Sequence, residues 1–148
     1  MIAVLQRVTS ASVRVGSRTV GAVSRGLVIF LGVMDTDNET DARFLVDKIL
    51  PFRIFNDGQG KMNRSLLDVG GELLIISQFT LCGDWRKGRR PSFVHAAPPD
   101  RGRELYLRFI ALCRERGVTV AEGEFGAMME VELINDGPVT FVLDSARK

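Results

Sequence analysis

Apolar residues come in short bursts over the first third of the chain. Ile2-Ala3-Val4-Leu5 and Ala11-Ser12-Val13-Arg14-Val15, separated by the polar Thr9-Ser10, are rich in residues that suit a pleated surface and predict two strands. Gly16-Ser17 predicts a tight turn into a third strand over residues 19–23. Leu27-Val28-Ile29-Phe30-Leu31 is continuously apolar and predicts a central strand buried on both faces. The period then changes. Ala42, Leu45, Val46 and Ile49 recur at i, i+3, i+4 and i+7, the apolar stripe of a helix. Thr36 with Glu39 predicts a capping box at its start, and Pro51 predicts its end. Phe52-Arg53-Ile54-Phe55 reads as a short strand. Asn56-Asp57-Gly58-Gln59-Gly60 reads as a turn, because the later acidic ligands of a calcium loop are missing.

Gly70-Gly71 precedes a strand expected over residues 72–81. A second helix is expected over 100–116, with Leu105, Phe109 and Leu112 on one stripe and Tyr106, Ile110 and Cys113 on its neighbour. Gly117 suits its C-terminal cap. Met129, Val131 and Leu133 alternate with Glu130 and Glu132, the pattern of a half-buried strand. Asn135-Asp136-Gly137-Pro138 predicts a turn, with a plain hairpin the better reading from composition, and residues 139–143 a last strand. Strands come in runs rather than in strict alternation with helices. The pattern predicts a mixed α/β or α+β layered domain and not a dinucleotide-binding fold. No G-x-G-x-x-G and no Walker A loop is present.

Composition narrows the picture. With 148 residues, 45% hydrophobic and a formal charge of +2, residues 1–148 make one domain with one real core, not a disordered chain. The longest apolar run falls far short of the ~20 residues that span a bilayer, so no membrane association is expected. The N-terminal stretch lacks the charged region of a signal peptide, and the cytoplasm is the expected location. Cys82 and Cys113 lie in apolar segments and read as small buried hydrophobes. His95 is the only histidine, which leaves a Cys/His zinc site short of ligands and any catalytic triad dependent on that residue.

Three segments are candidates for chemistry. Ser77-Gln78-Phe79-Thr80-Leu81 puts a polar pair at the end of an apolar strand, where it enters a loop; Ser77 or Thr80 is a candidate nucleophile and Gln78 a polar anchor. Arg86, Lys87, Arg89 and Arg90 form a basic loop suited to phosphates, with Trp85 and Phe93 beside it as either stacking or core aromatics. The Asn135–Pro138 turn is the third.

Together these residues resemble the D-aminoacyl-tRNA deacylases, the family first described as D-tyrosyl-tRNA deacylases. The likeness covers essentially the whole chain. It is carried by Ser77-Gln78-Phe79-Thr80-Leu81 and Asn135-x-Gly137-Pro138-Val139-Thr140, two motifs that are specific as a pair. Gln6-Arg7-Val8, the loop from Arg86 to Phe93, Ala96-Ala97-Pro98-Pro99 and Phe125-Gly126-Ala127-x-Met129 support it. The chain departs from the family at Arg89, where Asn is common.

The resemblance implies a layered β/β/α domain with mostly antiparallel, barrel-like sheets and two main helices. It implies a homodimer with the active site at the interface, where the Ser77–Leu81 segment of one chain meets a cis Gly137-Pro138 of the other. The implied reaction hydrolyses the ester of D-aminoacyl-tRNA, and of Gly-tRNA, while L-aminoacyl-tRNA is rejected. No metal or organic cofactor is implied. The catalytic segment is then Ser77, Gln78, Phe79 and Thr80, with backbone N–H groups around Phe79 and Thr80 facing the oxyanion. Thr80 and Gln78 act as positioning groups beside the substrate's ribose 2′-hydroxyl, since no base stands out to activate Thr80. Arg7, Gly137 and Pro138 are expected on the substrate-binding side, with Arg7 bracing the Gly137-Pro138 turn of its own or of the partner chain. Phe125, Gly126, Ala127 and Met129 are expected to hold the terminal adenine. Arg86, Lys87, Arg89 and Arg90 are expected to meet tRNA phosphates. Two rivals stand beside this reading: a binding module on the same scaffold without catalysis, and a related deacylase of altered chirality preference, against which Ser77 and Phe79 favour the D-specific branch.

Overall fold

The computed structural model describes residues 1–147. The elements run β1 (Ile2–Val15), β2 (Arg18–Val23), β3 (Gly26–Gly32), α1 (Glu39–Ile49), β4 (Phe55–Asn56), β5 (Met62–Arg64), α2 (Leu66–Val69), β6 (Glu72–Ser77), a 3-10 helix (Phe79–Cys82), α3 (Pro99–Glu115), β7 (Val120–Glu122) and β8 (Glu130–Asp144). α1 and α3 are the two main helices. α2 is a single capped turn, with Ser65 and Asp68 bonding reciprocally across it.

β1 organises the sheet. The two short strands expected at residues 2–5 and 11–15 are one strand of 14 residues, with Thr9 and Ser10 exposed in its middle. Its first half pairs antiparallel with β3, from Ile2↔Gly32 to Val8↔Gly26, and its second half with β2. Its other edge carries β8 over nearly its whole length, from Ile2↔Asp144 to Arg14↔Glu130. β6 joins β3 in parallel, and β7 joins β6 in parallel. The sheet then curls until β2 nearly reaches β7. A Cβ at Gly21 would stand 2.8 Å from the Glu122 carbonyl oxygen, so only glycine permits that approach. The result is a barrel-like, mostly antiparallel sheet, as expected.

Strand pleating divides the apolar residues between two cores. Leu27, Ile29 and Leu31 of β3, with Leu73 and Ile75 of β6, face α1 and α3. Val28, Leu74 and Ile76 point the other way, into the barrel, with Val8, Val13 and Val23. β3 is therefore buried on both faces, as its unbroken apolar run predicts. Both stripes expected on α3 are buried, from Leu105 to Cys113.

Four further expectations need correction. The capping box of α1 is Asn38 with Asp41, not Thr36 with Glu39. Asn38 Oδ1 accepts from the Thr40 N–H at 2.8 Å, and the Asp41 carboxylate accepts from the Asn38 N–H at 3.1 Å. Thr36 sits in the preceding turn, which Asp37 closes by accepting from the Met34 N–H at 2.6 Å. The strand expected over 52–55 is reduced to β4, which pairs with β5 around the Asp57 turn. There the Asp57 carboxylate is occupied by the Gln59 and Lys61 N–H groups and the Asn63 amide, consistent with a turn.

The strand expected over 72–81 stops at Ser77, because the Gln78 N–H makes the last ladder bond, to Leu31 O at 2.8 Å, and the chain then coils into the 3-10 helix. No hairpin forms at Asn135–Pro138. β8 runs straight through, and the extra residues bulge. Val8 pairs with Asn135 and Gln6 with Thr140, so Arg7 alone stands opposite residues 136–139. The Gly137–Pro138 peptide bond is cis.

Candidate active site

The 3-10 helix lies where it does because β3 ends in a glycine. A Cβ at Gly32 would stand 2.9 Å from Leu81 Cβ and 3.1 Å from the Gln78 carbonyl oxygen. The missing side chain lets the turn settle against the strand end. This brings Gln78, Phe79 and Thr80 to the mouth of a cleft of about 630 Å³. The cleft's other wall is the segment Phe125 to Met129, and its floor includes Ile76, Gly102 and Tyr106. Two segments far apart in sequence, one a candidate from its residues and the other from the family resemblance, thus line one concavity.

Inside the cleft the Gln78 side-chain amide donates to Thr80 Oγ1. That bond fixes both side chains and leaves the Thr80 hydroxyl hydrogen free to point elsewhere. Among the described residues, neither His95 nor any carboxylate lines the cleft. His95 is exposed on the loop before α3, where its carbonyl accepts from the Asp35 N–H at 2.9 Å. Phe79 is 60% exposed and packs edge-on against Phe93, with ring centroids 5.0 Å apart.

The apolar wall is built by close contacts. Tyr106 is buried, and its hydroxyl donates to Ile75 O at 2.8 Å; burial pushes the phenol far above its usual range, so it serves as a neutral donor. Phe125 tilts against Tyr106, centroids 5.7 Å apart. Gly123 leaves room for Met129, whose sulfur would stand 2.5 Å from a Cβ there. Met129 both lines the cleft and packs on the barrel core. Gly126, at φ +79°, turns the chain between Phe125 and Ala127.

Sequence reasoning missed part of this wall. Tyr106 reads as one more residue of an apolar helical stripe, and Ala96 and Ala97 only as part of a motif that supports the family resemblance. The one local signal is the Ala96-Ala97 pair before the helix, which lines the cleft.

The remaining candidates lie elsewhere. Gly137 and Pro138 are exposed and do not line the cleft of their own chain. They are held from behind. Arg7, 5% exposed, donates from Nε to Asp136 O and pairs with the Asp136 carboxylate, both at 3.0 Å, while its Nη1 donates to Ile54 O at 2.6 Å. Asn135 Nδ2 donates to Arg7 O at 2.9 Å and to Val139 O at 3.2 Å, bridging the mouth of the bulge. Arg7 braces the segment from within its own chain and points into the protein.

The basic loop is also outside the cleft. It is closed by paired backbone bonds between Asp84 and Ser92, at 2.7 and 2.9 Å. Arg86 does not offer a free charge. It grips Asp84 with both Nε and Nη2, at 2.8 and 2.7 Å, and holds that carboxyl well below its usual range. Lys87, Arg89 and Arg90 are exposed and have no ion-pair partner among the described residues. Cys82 and Cys113 are buried and free, as expected; burial pushes their thiols up to about 11 and about 12. No cluster of three or more metal-ligating side chains occurs among the described residues.

Comparison with known proteins gives this geometry a family. The family model described as D-Tyr-tRNA(Tyr) deacylase matches residues 4–144. The D-aminoacyl-tRNA deacylase of Thermotoga petrophila is 55% identical over 147 residues, 99% of each chain. That of Thermus aquaticus is 57% identical over all of this chain and 97% of its own. Among solved structures, one titled c-Myc DNA Unwinding Element Binding Protein superposes with a TM-score of 0.92 at 40% identity, covering 97% of this chain and 98% of that one. Another, titled Structural Analysis of a probable eukaryotic D-amino acid tRNA deacylase, has a TM-score of 0.84 at 22% identity over 96% and 97%, and shares the fold. With its family model matched nearly end to end and relatives more than half identical along its length, the chain belongs to the D-Tyr-tRNA(Tyr) deacylase family of hydrolases.

Proposed function

We propose that this D-aminoacyl-tRNA deacylase hydrolyses the ester between a D-amino acid and the 3′-terminal adenosine of tRNA, accepts Gly-tRNA as well, and excludes L-aminoacyl-tRNA with the Gly137-Pro138 segment of a second subunit. The observation that carries the reading is the cleft itself, where the Ser77–Thr80 segment faces Phe125, Gly126, Ala127 and Met129.

An aminoacyl ester is already activated, so placement and charge stabilisation suffice. The N–H groups of Phe79 and Thr80 begin a 3-10 helix, where first-turn donors have no partner inside the helix. They are offered to the carbonyl oxygen as it gains charge during attack. Thr80 and Gln78, tied to each other, hold the ester in register and leave proton transfer to water and the ribose 2′-hydroxyl. The adenine lies on the apolar wall of Phe125 and Met129, with Gly126 and Ala127 allowing close backbone approach. Lys87, Arg89 and Arg90 meet phosphates further along the acceptor end, and Arg86 contributes through its fixed pair with Asp84. No metal or organic cofactor is required by this scheme.

Chirality needs a rigid element. A thousandfold preference requires ~4 kcal/mol, while a pocket that merely prefers one side chain gains ~1–3 kcal/mol. The Gly137-Pro138 segment is exposed, unused in its own chain's cleft, and clamped by Arg7 and Asn135. Entering the partner's cleft, its carbonyls accept from the substrate ammonium and stand where an L side chain would lie. A D side chain points outward, and glycine has nothing to collide. Apolar exposure on the edge strand β8, at Ile134 (61%) and Val142 (70%), supports a second copy covering that strand in a homodimer. The cytoplasm, where charged tRNA is used, is the proposed location.

The test is release of labelled amino acid from D-Tyr-tRNA, L-Tyr-tRNA and Gly-tRNA by purified protein. Hydrolysis of the D and glycyl esters with the L ester spared is the expected outcome. Comparable rates on the L ester overturn the chirality filter, and no hydrolysis of any ester by folded protein overturns the reading as a whole.

A further inference from the structure

Trp85 is 80% exposed. An indole is usually among the more buried side chains of a folded domain, and one left in water marks a surface that meets something. Its setting is specific. The loop that carries it is pinned at its base by the Asp84–Ser92 backbone pair and stiffened just beyond Trp85 by the two-point Arg86–Asp84 ion pair. Gly88, at φ +72°, completes the turn. Trp85 is therefore displayed on a braced platform. The three free cations Lys87, Arg89 and Arg90 follow it, and the loop's only carboxylate, Asp84, is already neutralised.

The platform also connects to the cleft. Phe93, one residue beyond the closing pair, packs on Gly83, where a Cβ would stand 3.0 Å from its ring, and meets Phe79 at the cleft mouth. From Thr80 to Trp85 the chain can span at most about 17 Å, so the loop lies within reach of a strand whose end occupies the cleft, a few nucleotides from that end.

We propose that Trp85 stacks on an unpaired base of the bound RNA a few nucleotides before its 3′ end, so that the basic loop grips the strand by an aromatic face as well as by charge. An anionic peptide would satisfy the cations but would not need a rigid, exposed indole beside them; a single-stranded nucleic acid uses both features, since every base offers a flat face and every link a phosphate. The inference rests on tRNA being the substrate and adds a contact outside the ester cleft.

Trp85 is the only tryptophan in the chain, so its emission reports the contact directly. The wild-type protein is titrated with deacylated tRNA, with a short single-stranded RNA and with inorganic polyphosphate, while filter binding measures occupancy separately. Both RNAs should quench the emission in step with occupancy, and polyphosphate should bind without quenching. Unchanged emission at full RNA occupancy overturns the proposal, and so does equal quenching by polyphosphate, which reports only charge near the loop. Trp85→Ala should weaken RNA binding by about 5- to 100-fold, with Trp85→Phe restoring most of the loss. Undiminished binding by Trp85→Ala also overturns it. Ester hydrolysis by the same preparation separates the two levels. Active enzyme without quenching removes the stacking contact alone, whereas neither hydrolysis nor RNA binding removes the deacylase reading together with it.

Discussion

Asn135 and Arg7 hold the Gly137-Pro138 segment from two directions, and neither can be replaced by shape alone. The Asn135 amide spends both its hydrogens on carbonyls, Arg7 O and Val139 O, on the two strands that flank the bulge. Asn135→Ala leaves both oxygens without that donor, at about 1–3 kcal/mol for each that stays buried. Asn135→Asp does worse, because a carboxylate repels them. Gly137→Ala reaches the same clamp by another route, since its Cβ would stand 2.7 Å from Asn135 Oδ1 and push the side chain away. Asn135→Ala and Gly137→Ala should each hydrolyse D-Tyr-tRNA more slowly and lose part of the D-over-L rate ratio. The Asn135→Ala/Gly137→Ala double variant should be little worse than either single one, because the same contact is lost once. Additive losses in a double-mutant cycle would show that Gly137 acts independently of the clamp. Thr80 yields a different signature. If Thr80 is the positioning group proposed above, held by its bond to Gln78, its change to Val should lower kcat about tenfold, roughly 1.4 kcal/mol of transition-state stabilisation, and Thr80→Ser should recover most of it. Activity falling below detection in folded, tRNA-binding Thr80→Val would make the hydroxyl a nucleophile instead.

At the level of elements, the placement of the 3-10 helix depends on Gly32 more than on its own sequence. Gly32→Ala forces the turn off the strand end, since the new methyl meets Leu81 Cβ at 2.9 Å and Cys82 Sγ at 3.2 Å. Overpacking of this kind costs about 1–3 kcal/mol, readable in urea unfolding. The same shift carries Gln78 and Thr80 with it, so kcat/KM should fall by more than the stability loss alone accounts for. Gly58→Ala, with nothing within 4 Å, is the control and should leave both unchanged.

The same region shows what pattern reasoning reads and what it does not. The apolar run of β6 and the stripes of α1 and α3 were legible because burial on a regular element imposes a period. The 3-10 helix was not, because Phe79 and Leu81 continue the apolar character of the strand, and the signal that stops it is a backbone bond from Gln78 to β3. The bulge in β8 was hidden for a related reason. Asn-Asp-Gly-Pro serves a hairpin and a bulge equally well, and the choice falls to β1, long enough to pair on both sides of the interruption. Motif identity located the cleft residues. Their neighbours Tyr106, Ala96 and Ala97 come from tertiary packing, which carries no local period.

For the whole molecule, the central geometric fact is a separation. The cleft contains the Ser77–Thr80 segment and the Phe125–Met129 wall, while the braced Gly137-Pro138 segment faces outward from another part of the same chain. If a second copy closes each cleft, the two halves of the site can be damaged on different chains. A Gln78→Ala/Thr80→Val chain keeps a sound Gly137-Pro138 segment, and a Gly137→Ala/Asn135→Ala chain keeps a sound cleft. Each homodimer then carries two defective sites. Denaturing and refolding an equal mixture gives half heterodimers, in which one composite site has both damaged parts and the other has neither. With random pairing in a closed two-fold assembly, D-Tyr-tRNA hydrolysis and its preference over L-Tyr-tRNA should return to roughly a quarter of the wild-type level. Simple averaging of the two parents' rates is the expected result if each chain completes its own site, because no chain in the mixture has both halves intact. Sedimentation of the refolded mixture confirms that dimers formed, so a failure to recover activity would count against the shared site rather than against assembly.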